Sequence, residues 1–171
     1  MFTSFNNSTM KNTRFFSQLV KTYNINGYIE NVLDLSIINK EYCLNVVKNK
    51  TISVLGYGPQ GRGQSLNLRD NKYPVILGLR KGGDSWNLAK QDNWKEGINL
   101  FELDDAIHKG DIIKYLLSDA GQISEWGRVK KGLKSGSTLY FSHGFGIVYS
   151  DKTNIIPPDD IDVIMVAPKG P

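Results

Sequence analysis

Cysteine is almost absent. The chain of 171 residues has one, Cys43, which excludes an internal disulfide and any metal centre built on thiolates. A single cysteine agrees with a reducing compartment, and Cys43 reads as a small apolar residue rather than a nucleophile. Histidine is nearly as scarce, with His108 and His143 only. No apolar run approaches the roughly 20 residues that a membrane-spanning helix needs. Clustered basic charge is also missing. The formal net charge is +4, and the basic residues are scattered rather than gathered into a stripe that would fit nucleic acid. Acid is absent from residues 1–29, where Lys11, Arg14 and Lys21 stand among Ser, Thr, Asn and Phe. That bias is weakly like an organelle transit peptide, although it is poor in Arg. Residues 1–26 therefore read as an N-terminal extension, transit-like or disordered, and residues 27–171 as the folded domain. The expected compartment is the cytoplasm, with mitochondrion or plastid as the alternative if the extension is a transit peptide.

What is present is concentrated between Thr51 and Arg80. A short apolar run, Ile52-Ser53-Val54-Leu55, meets the glycine-rich turn Gly56-Tyr57-Gly58-Pro59-Gln60-Gly61. A helix-compatible segment from Arg62 to Arg69 and a second apolar run, Pro74 to Leu79, follow. Strand, tight turn, helix, strand is the context in which G-x-G-x-x-G indicates a dinucleotide site. Gly56 allows the sharp exit from the strand, Gly58 lets backbone approach a pyrophosphate, and Gly61 lets helix and strand pack closely. The helix start, with its unpaired N–H groups and dipole, favours a phosphate.

The end of the second strand selects the cofactor. An NAD site would place Asp or Glu there to hold the ribose 2′-hydroxyl. Arg80 stands there instead, with Lys81 beside it and Ser85 close by. A guanidinium pairs bidentately with phosphate and a hydroxyl adds a hydrogen bond, which argues for NADP over NAD. A solvated basic loop is the plainer alternative.

Further along, the spacing predicts helices over Ser85–Asp92, Asp104–Lys109 (capped by Asp104 or Asp105) and from Asp119 through Trp126 to Lys131. Strands are expected at Leu100-Phe101, Asp111–Leu117, Gly136–Phe141 and Asp162–Val166. A short helix around Leu44, Val46 and Val47 feeds the first strand. Alternating strands and helices imply an α/β fold with a Rossmann-like, doubly wound, mainly parallel sheet. Ligands bind such sheets at the carboxyl ends of strands. That edge carries Leu117-Ser118-Asp119-Ala120-Gly121-Gln122 after one strand and Ser142-His143-Gly144 after the next. Asp119 is also a natural helix cap, and His143 is equally readable as a structural histidine bonded to backbone. His108 reads as a solvated residue on a surface helix.

The segments GYGPQGRGQSLNLRDN, GLRKGGDSW, LLSDAGQ, LYFSHGFGIVY and VAPKGP, in this order, resemble the N-terminal domain of ketol-acid reductoisomerase, also called acetohydroxy acid isomeroreductase. The resemblance covers roughly Tyr28 to Pro171. It implies an NADPH-dependent oxidoreductase and isomerase of valine, leucine and isoleucine biosynthesis. Such an enzyme converts 2-acetolactate or 2-aceto-2-hydroxybutyrate to a 2,3-dihydroxy acid by a Mg²⁺-dependent alkyl shift and hydride transfer. Carried over by motif, the cofactor contacts are Gly56, Tyr57, Gly58, Pro59, Gln60, Gly61, Arg80, Ser85, Leu117, Ser118, Asp119 and Gln122, and the catalytic residues are His143 and Lys169. The family continues after VAPKGP into an all-helical domain that supplies the acidic Mg²⁺ ligands and most of the substrate pocket. That domain is absent here. Asp104-Asp105 and Asp159-Asp160 look like a helix start and a turn, so no metal ligand is assigned. The expectation is a cofactor-binding part, inactive alone, of an enzyme that is a homo-oligomer at full length, acting on a small 2-hydroxy-2-acyl acid and touching neither nucleic acid nor membrane. The alternative is a non-catalytic NADP-binding remnant.

Overall fold

The computed structural model describes residues 20–33 and 39–167. They fall into two compact units, 1–46 and 47–171. In the first, β1 (Val20–Ile25) and β2 (Tyr28–Leu33) form an antiparallel hairpin, paired from Val20↔Leu33 to Ile25↔Tyr28. The connecting Asn26-Gly27 has φ of 53° and 88°, the doubly positive pair that a two-residue hairpin turn requires. The Asn24 side chain accepts from the Gly27 N–H at 2.9 Å and fixes the turn. Part of this hairpin lies in the stretch read above as an extension. The Asn-Gly pair was the available signal for it. α1 (Lys40–Val47) follows, its first turn capped by Asn39 Oδ1, which accepts from the Glu41 and Tyr42 N–H groups at 2.8 and 3.2 Å.

The second unit is built on β3 (Ile52–Leu55), β4 (Val75–Gly78), β5 (Leu100–Phe101), β6 (Ile112–Tyr115), β7 (Thr138–Phe141) and β8 (Asp162–Met165). All pair in parallel, in the spatial order β5-β4-β3-β6-β7-β8. The expected Rossmann-like sheet is thus the observed one. The connections are α2 (Pro59–Asp70), α3 (Asp84–Gln91), α4 (Leu103–Lys109), α5 (Asp119–Gly132) and two short turns of helix, α6 (Phe145–Val148) and α7 (Ser150–Thr153).

Alternation along each strand sends side chains to opposite faces. Ile52, Val54, Val75 and Leu77 pack with Leu66 and Leu68 of α2 and Trp86 and Ala89 of α3. Leu55, Ile76, Ile113, Tyr115 and Leu139 pack with Leu103, Ala106 and Ile107 of α4 and Trp126 and Val129 of α5. The chain winds outward from β3 to β5, then returns to continue at β6 on the other side of β3. The crevice where the winding reverses, between the ends of β3 and β6, is where such folds bind ligands.

Two details differ from the spacing argument. α4 begins at Leu103, and neither Asp104 nor Asp105 caps it. Asp104 faces α5 instead, where Arg128 donates to both its carboxylate oxygens, and this pairing holds its pKa below the ordinary carboxylate value. Asp119 does not cap α5 either. The cap is Ser118, whose Oγ accepts from the Gly121 N–H at 3.2 Å, which leaves Asp119 in the first turn.

Candidate functional site

The carboxyl ends of β3, β4, β5 and β6 enclose a cleft of about 570 Å³, within the range of small-molecule and cofactor sites. Its floor is the glycine turn. Gly56 has φ +101°, and a Cβ there would lie 2.7 Å from the Leu116 carbonyl oxygen of the β6 end. A Cβ on Gly61 would lie 2.2 Å from the Gly56 carbonyl oxygen. These two glycines bring strand, turn and helix together. Gly58 is different: a Cβ there would meet no protein atom within 4 Å. It borders the cleft, so the space a side chain would occupy is available to a bound group. α2 starts at Gly58 with no side-chain cap and with Pro59 in its first turn, and α3 starts at Gly83 with no side-chain cap either. Both starts reach the cleft. Uncapped helix starts offer N–H donors and positive dipole ends to an anion.

The Tyr57 side chain is engaged within the protein. It is buried, donates to Asp92 Oδ2 at 2.8 Å, and accepts from the Trp94 indole N–H at 2.9 Å. Burial, with Asp92 as the next cause, pushes its phenol up to about 12. Arg62 of α2 donates to both oxygens of Asp92, at 2.7 and 2.9 Å, and Arg69 donates to the Asp92 carbonyl at 2.6 Å while lying over the Trp94 ring. Tyr57 borders the cleft, and its hydroxyl ties the turn to the segment after α3.

The sequence-derived residues divide in a regular way. Gly56, Tyr57, Gly58, Arg80, Ser85, Leu117 and Ser118 line the cleft. Pro59, Gln60 and Gly61 belong to the first turn of α2, with Gln60 Oε1 accepting from Gln64 at 2.9 Å. Gln122 is buried, and its amide donates to the Tyr115 and Leu117 carbonyls at 3.2 and 3.1 Å. It holds the strand-to-helix junction beneath the cleft. Asp119 and His143 sit together at the neighbouring strand ends, His143 Nε2 lying 3.4 Å from Asp119 Oδ1. Lys169 lies outside the described residues. The cleft also takes in Asp84, Glu102, Glu125 and Arg128, which the motif reading did not single out. Glu102 follows β5 and was findable from the strand-end rule. Arg128 lies well along α5, where only the packed helix brings it to the cleft.

The scan of family models matches residues 46–171 to "Acetohydroxy acid isomeroreductase, NADPH-binding domain". The chain belongs to that family. It is 52% identical over 149 residues to the NAD(+) ketol-acid reductoisomerase of Desulfosudis oleivorans, covering 87% of this chain and 42% of that protein. The mitochondrial ketol-acid reductoisomerase of Saccharomyces cerevisiae is 49% identical over 151 residues, covering 88% of this chain and 38% of that protein. Among solved structures, an NADH-preferring ketol-acid reductoisomerase from an uncultured archean superposes with a TM-score of 0.68 at 38% identity, over 80% of this chain and 40% of that one. The reductoisomerase domain described here thus spans about two fifths of the length of the relatives it matches. Among its described residues no group of three or more His, Cys, Asp or Glu is placed to hold a metal ion. No described helix is long and apolar enough to cross a membrane.

Proposed function

We propose that this chain is the cofactor-binding part of an NADPH-dependent ketol-acid reductoisomerase. The observation that carries the proposal is the cleft itself: an open place at Gly58 between two uncapped helix starts, with Arg80 and Ser85 on its rim. The pyrophosphate would lie at Gly58 and the start of α2. The adenosine 2′-phosphate would meet Arg80 and the Ser85 hydroxyl, a charged and bidentate-capable partner with a neutral donor beside it. Leu117 and Ser118 would border the rest of the dinucleotide, with Gln122 setting the carbonyls beneath them. The nicotinamide would then reach the edge where Asp119 and His143 meet. There His143, with Lys169, would face the substrate.

Bound NADPH supplies the hydride that completes reduction of the ketol acid. The substrates we assign are 2-acetolactate and 2-aceto-2-hydroxybutyrate, and the products 2,3-dihydroxy acids of branched-chain amino-acid synthesis. The Mg²⁺ that such an alkyl migration uses has no ligand set among the described residues, so no step is derived through it. The 171 residues by themselves are expected to bind cofactor without turning over ketol acid. A homo-oligomer is the assembly we assign to the full-length enzyme.

We divide the chain into an extension over residues 1–26 and a cofactor domain over 27–171. The alignments of 149 and 151 residues are longer than the family-matched stretch 46–171, so the relatives also share sequence within residues 1–45. The compartment we assign is the cytoplasm. The second reading, an organelle, is favoured by the acid-free N-terminal stretch and by the mitochondrial names of the fungal relatives.

Nucleotide titration tests the cofactor assignment. Arg80→Ala is expected to weaken NADPH binding by about tenfold or more, the worth of a lost charge-assisted pair, while NADH binding changes little. An unchanged NADPH affinity would remove Arg80 from the site. A second reading, an NADP-binding remnant without catalysis, is motivated by the lack of a metal-holding group among the described residues. It predicts that no partner chain restores turnover with 2-acetolactate, NADPH and Mg²⁺.

A further inference from the structure

Arg80 and Lys81 are adjacent at the end of β4, and either could serve a 2′-phosphate. The structure separates them. Arg80 borders the cleft, whereas Lys81 is not among its lining residues. The chain turns sharply here, with Gly82 at φ +76° and the Gly83 N–H donating to the Arg80 carbonyl at 3.3 Å. Lys81 at the bend is carried outward, and its Nζ lies 2.6 Å from Glu96 Oε1. Glu96 is not on a loose loop. The Lys95 carbonyl accepts from the Ile98, Asn99 and Leu100 N–H groups at 3.0 to 3.1 Å, and Asn99 Oδ1 accepts from the Lys95 N–H at 2.7 Å. Glu96 itself bridges to Leu100 at the start of β5. The carboxylate is therefore presented from a closed turn that the sheet edge holds in place.

We infer that Glu96 is a specificity-determining residue: by holding Lys81 off the 2′-phosphate corner, it leaves Arg80 and Ser85 to carry the preference for NADPH alone. The inference rests on the cofactor reading above. Charge supports it. The corner brings together Arg80 and Lys81 against Asp84 and Glu96, with Glu102 on the cleft wall beyond. A phosphate monoester carries about −1.5 to −2 charges and meets here a surrounding with no excess of positive charge. The pKa directions of the pair agree with each other: hydrogen bonding to Glu96 raises Lys81, and hydrogen bonding to Lys81 lowers Glu96. Both side chains are half exposed, so the tie is a modest one, and its removal should have a modest and cofactor-selective effect.

The experiment is a double-mutant cycle on the whole chain, reading NADPH and NADH dissociation constants from the fluorescence of the reduced nicotinamide. Glu96→Gln is expected to tighten NADPH about three- to fivefold, the worth of an exposed ion pair, and to leave NADH unchanged within about twofold. Lys81→Met in the otherwise unaltered chain is expected to change neither by more than about twofold. In the double variant the gain from Glu96→Gln should vanish, because the released ammonium is gone. A fold defect would move both cofactors together, so the ratio isolates the 2′-phosphate. Tenfold weaker NADPH binding by Lys81→Met would overturn the inference, since it would place Lys81 on the phosphate despite Glu96. So would a Glu96→Gln variant with an unchanged ratio. An unaltered chain that binds neither dinucleotide would remove the cofactor reading, and this inference with it.

Discussion

β3 and β8 are both short apolar strands of one parallel sheet, yet their surroundings are opposite. Registered pairing lets them be compared along single rows. One row runs Leu77, Val54, Lys114, Tyr140, Ile164, and the next runs Ile76, Ser53, Ile113, Leu139, Val163. Val54 and Ser53 are fully buried, while Ile164 and Val163 are 42% and 44% exposed. Both faces of β8 are therefore partly exposed where both faces of β3 are covered. Uninterrupted apolar sequence is the mark of a parallel strand buried on both sides, and Val163-Ile164-Met165-Val166 carries it as clearly as Ile52-Ser53-Val54-Leu55 does. The difference lies in the neighbours. α2 and α3 cover β3 and β4 from one side, and α4 and α5 cover the centre from the other. On the outer side of β7, α6 and α7 are only four residues each. Stability in this unit is thus concentrated at the glycine-turn half of the sheet.

The largest test of that contrast is Gly61→Ala. The added methyl would sit 2.2 Å from a backbone oxygen, which neither rotamer change nor solvent relieves. A loss of about 3 kcal/mol is expected, measured by urea denaturation, together with loss of dinucleotide binding as the turn is pushed from Gly56. Next come matched truncations in the two halves. Leu55→Ala, at a fully buried site, is expected to cost about 3 kcal/mol, whereas Ile164→Ala should stay within about 0.5 kcal/mol. Equal costs would show that β8 is as well packed as β3 and break the comparison.

The glycine turn was legible because its physics is local. Gly58 and Gly61 belong to one turn and one helix contiguous in sequence, and Gly56, although Leu116 of the β6 end also crowds it, has the positive φ that the turn itself requires. The doubly wound, mainly parallel sheet followed from the alternation of strands and helices, while the strand order came from the structure. What was not legible depends on pairs far apart in the chain. Asp104 looked like a helix cap until Arg128 of α5 was brought to it. Tyr57 was placed in the turn by its motif, but that its hydroxyl pairs with Asp92 and Trp94, more than thirty residues on, was not readable there. Lys81 stood beside Arg80 with no partner readable from the local sequence, and the fold brings Glu96 to it. In each case a local motif named the residue type correctly, and a distant polar partner decided which way the side chain faces.

Lys114 offers a smaller test in the middle of the row. It lies between Val54 and Tyr140, its Nζ 3.9 Å from the Tyr140 ring centroid. Desolvation lowers its pKa from 10.5 to about 8. Below about pH 8 the folded chain must keep a charge in an apolar setting, and the ring offsets only part of that cost. Lys114→Met is expected to stabilise the unit by about 1 kcal/mol at pH 7. Between about pH 8 and 10.5 the unfolded chain binds the proton that the folded chain has lost, so the parent gains stability with rising pH and the gap should narrow. A gap that is flat across that window would assign the gain to packing alone.

The smallest effect is expected at Asp92, and it concerns how the buried half is tied at its rim. Hydrogen bonds from Arg62, then from Tyr57, lower its carboxyl from 3.8 to about 2. A depressed carboxylate contributes fully above its unfolded pKa and loses that contribution as pH falls through the folded one. The window is therefore about pH 4 down to about 2. Asp92→Asn should flatten the acid limb of the urea midpoint within that window and leave the slope above pH 5 unaltered. The pair with Arg62 is partly exposed, so salt should reduce the difference between parent and variant. The bonds from Tyr57 and Trp94 are more enclosed, so the part they contribute should survive salt. If all of the difference disappears with salt, the tie from Tyr57 to the rim adds nothing, and the glycine turn is held by the Gly56 and Gly61 contacts alone.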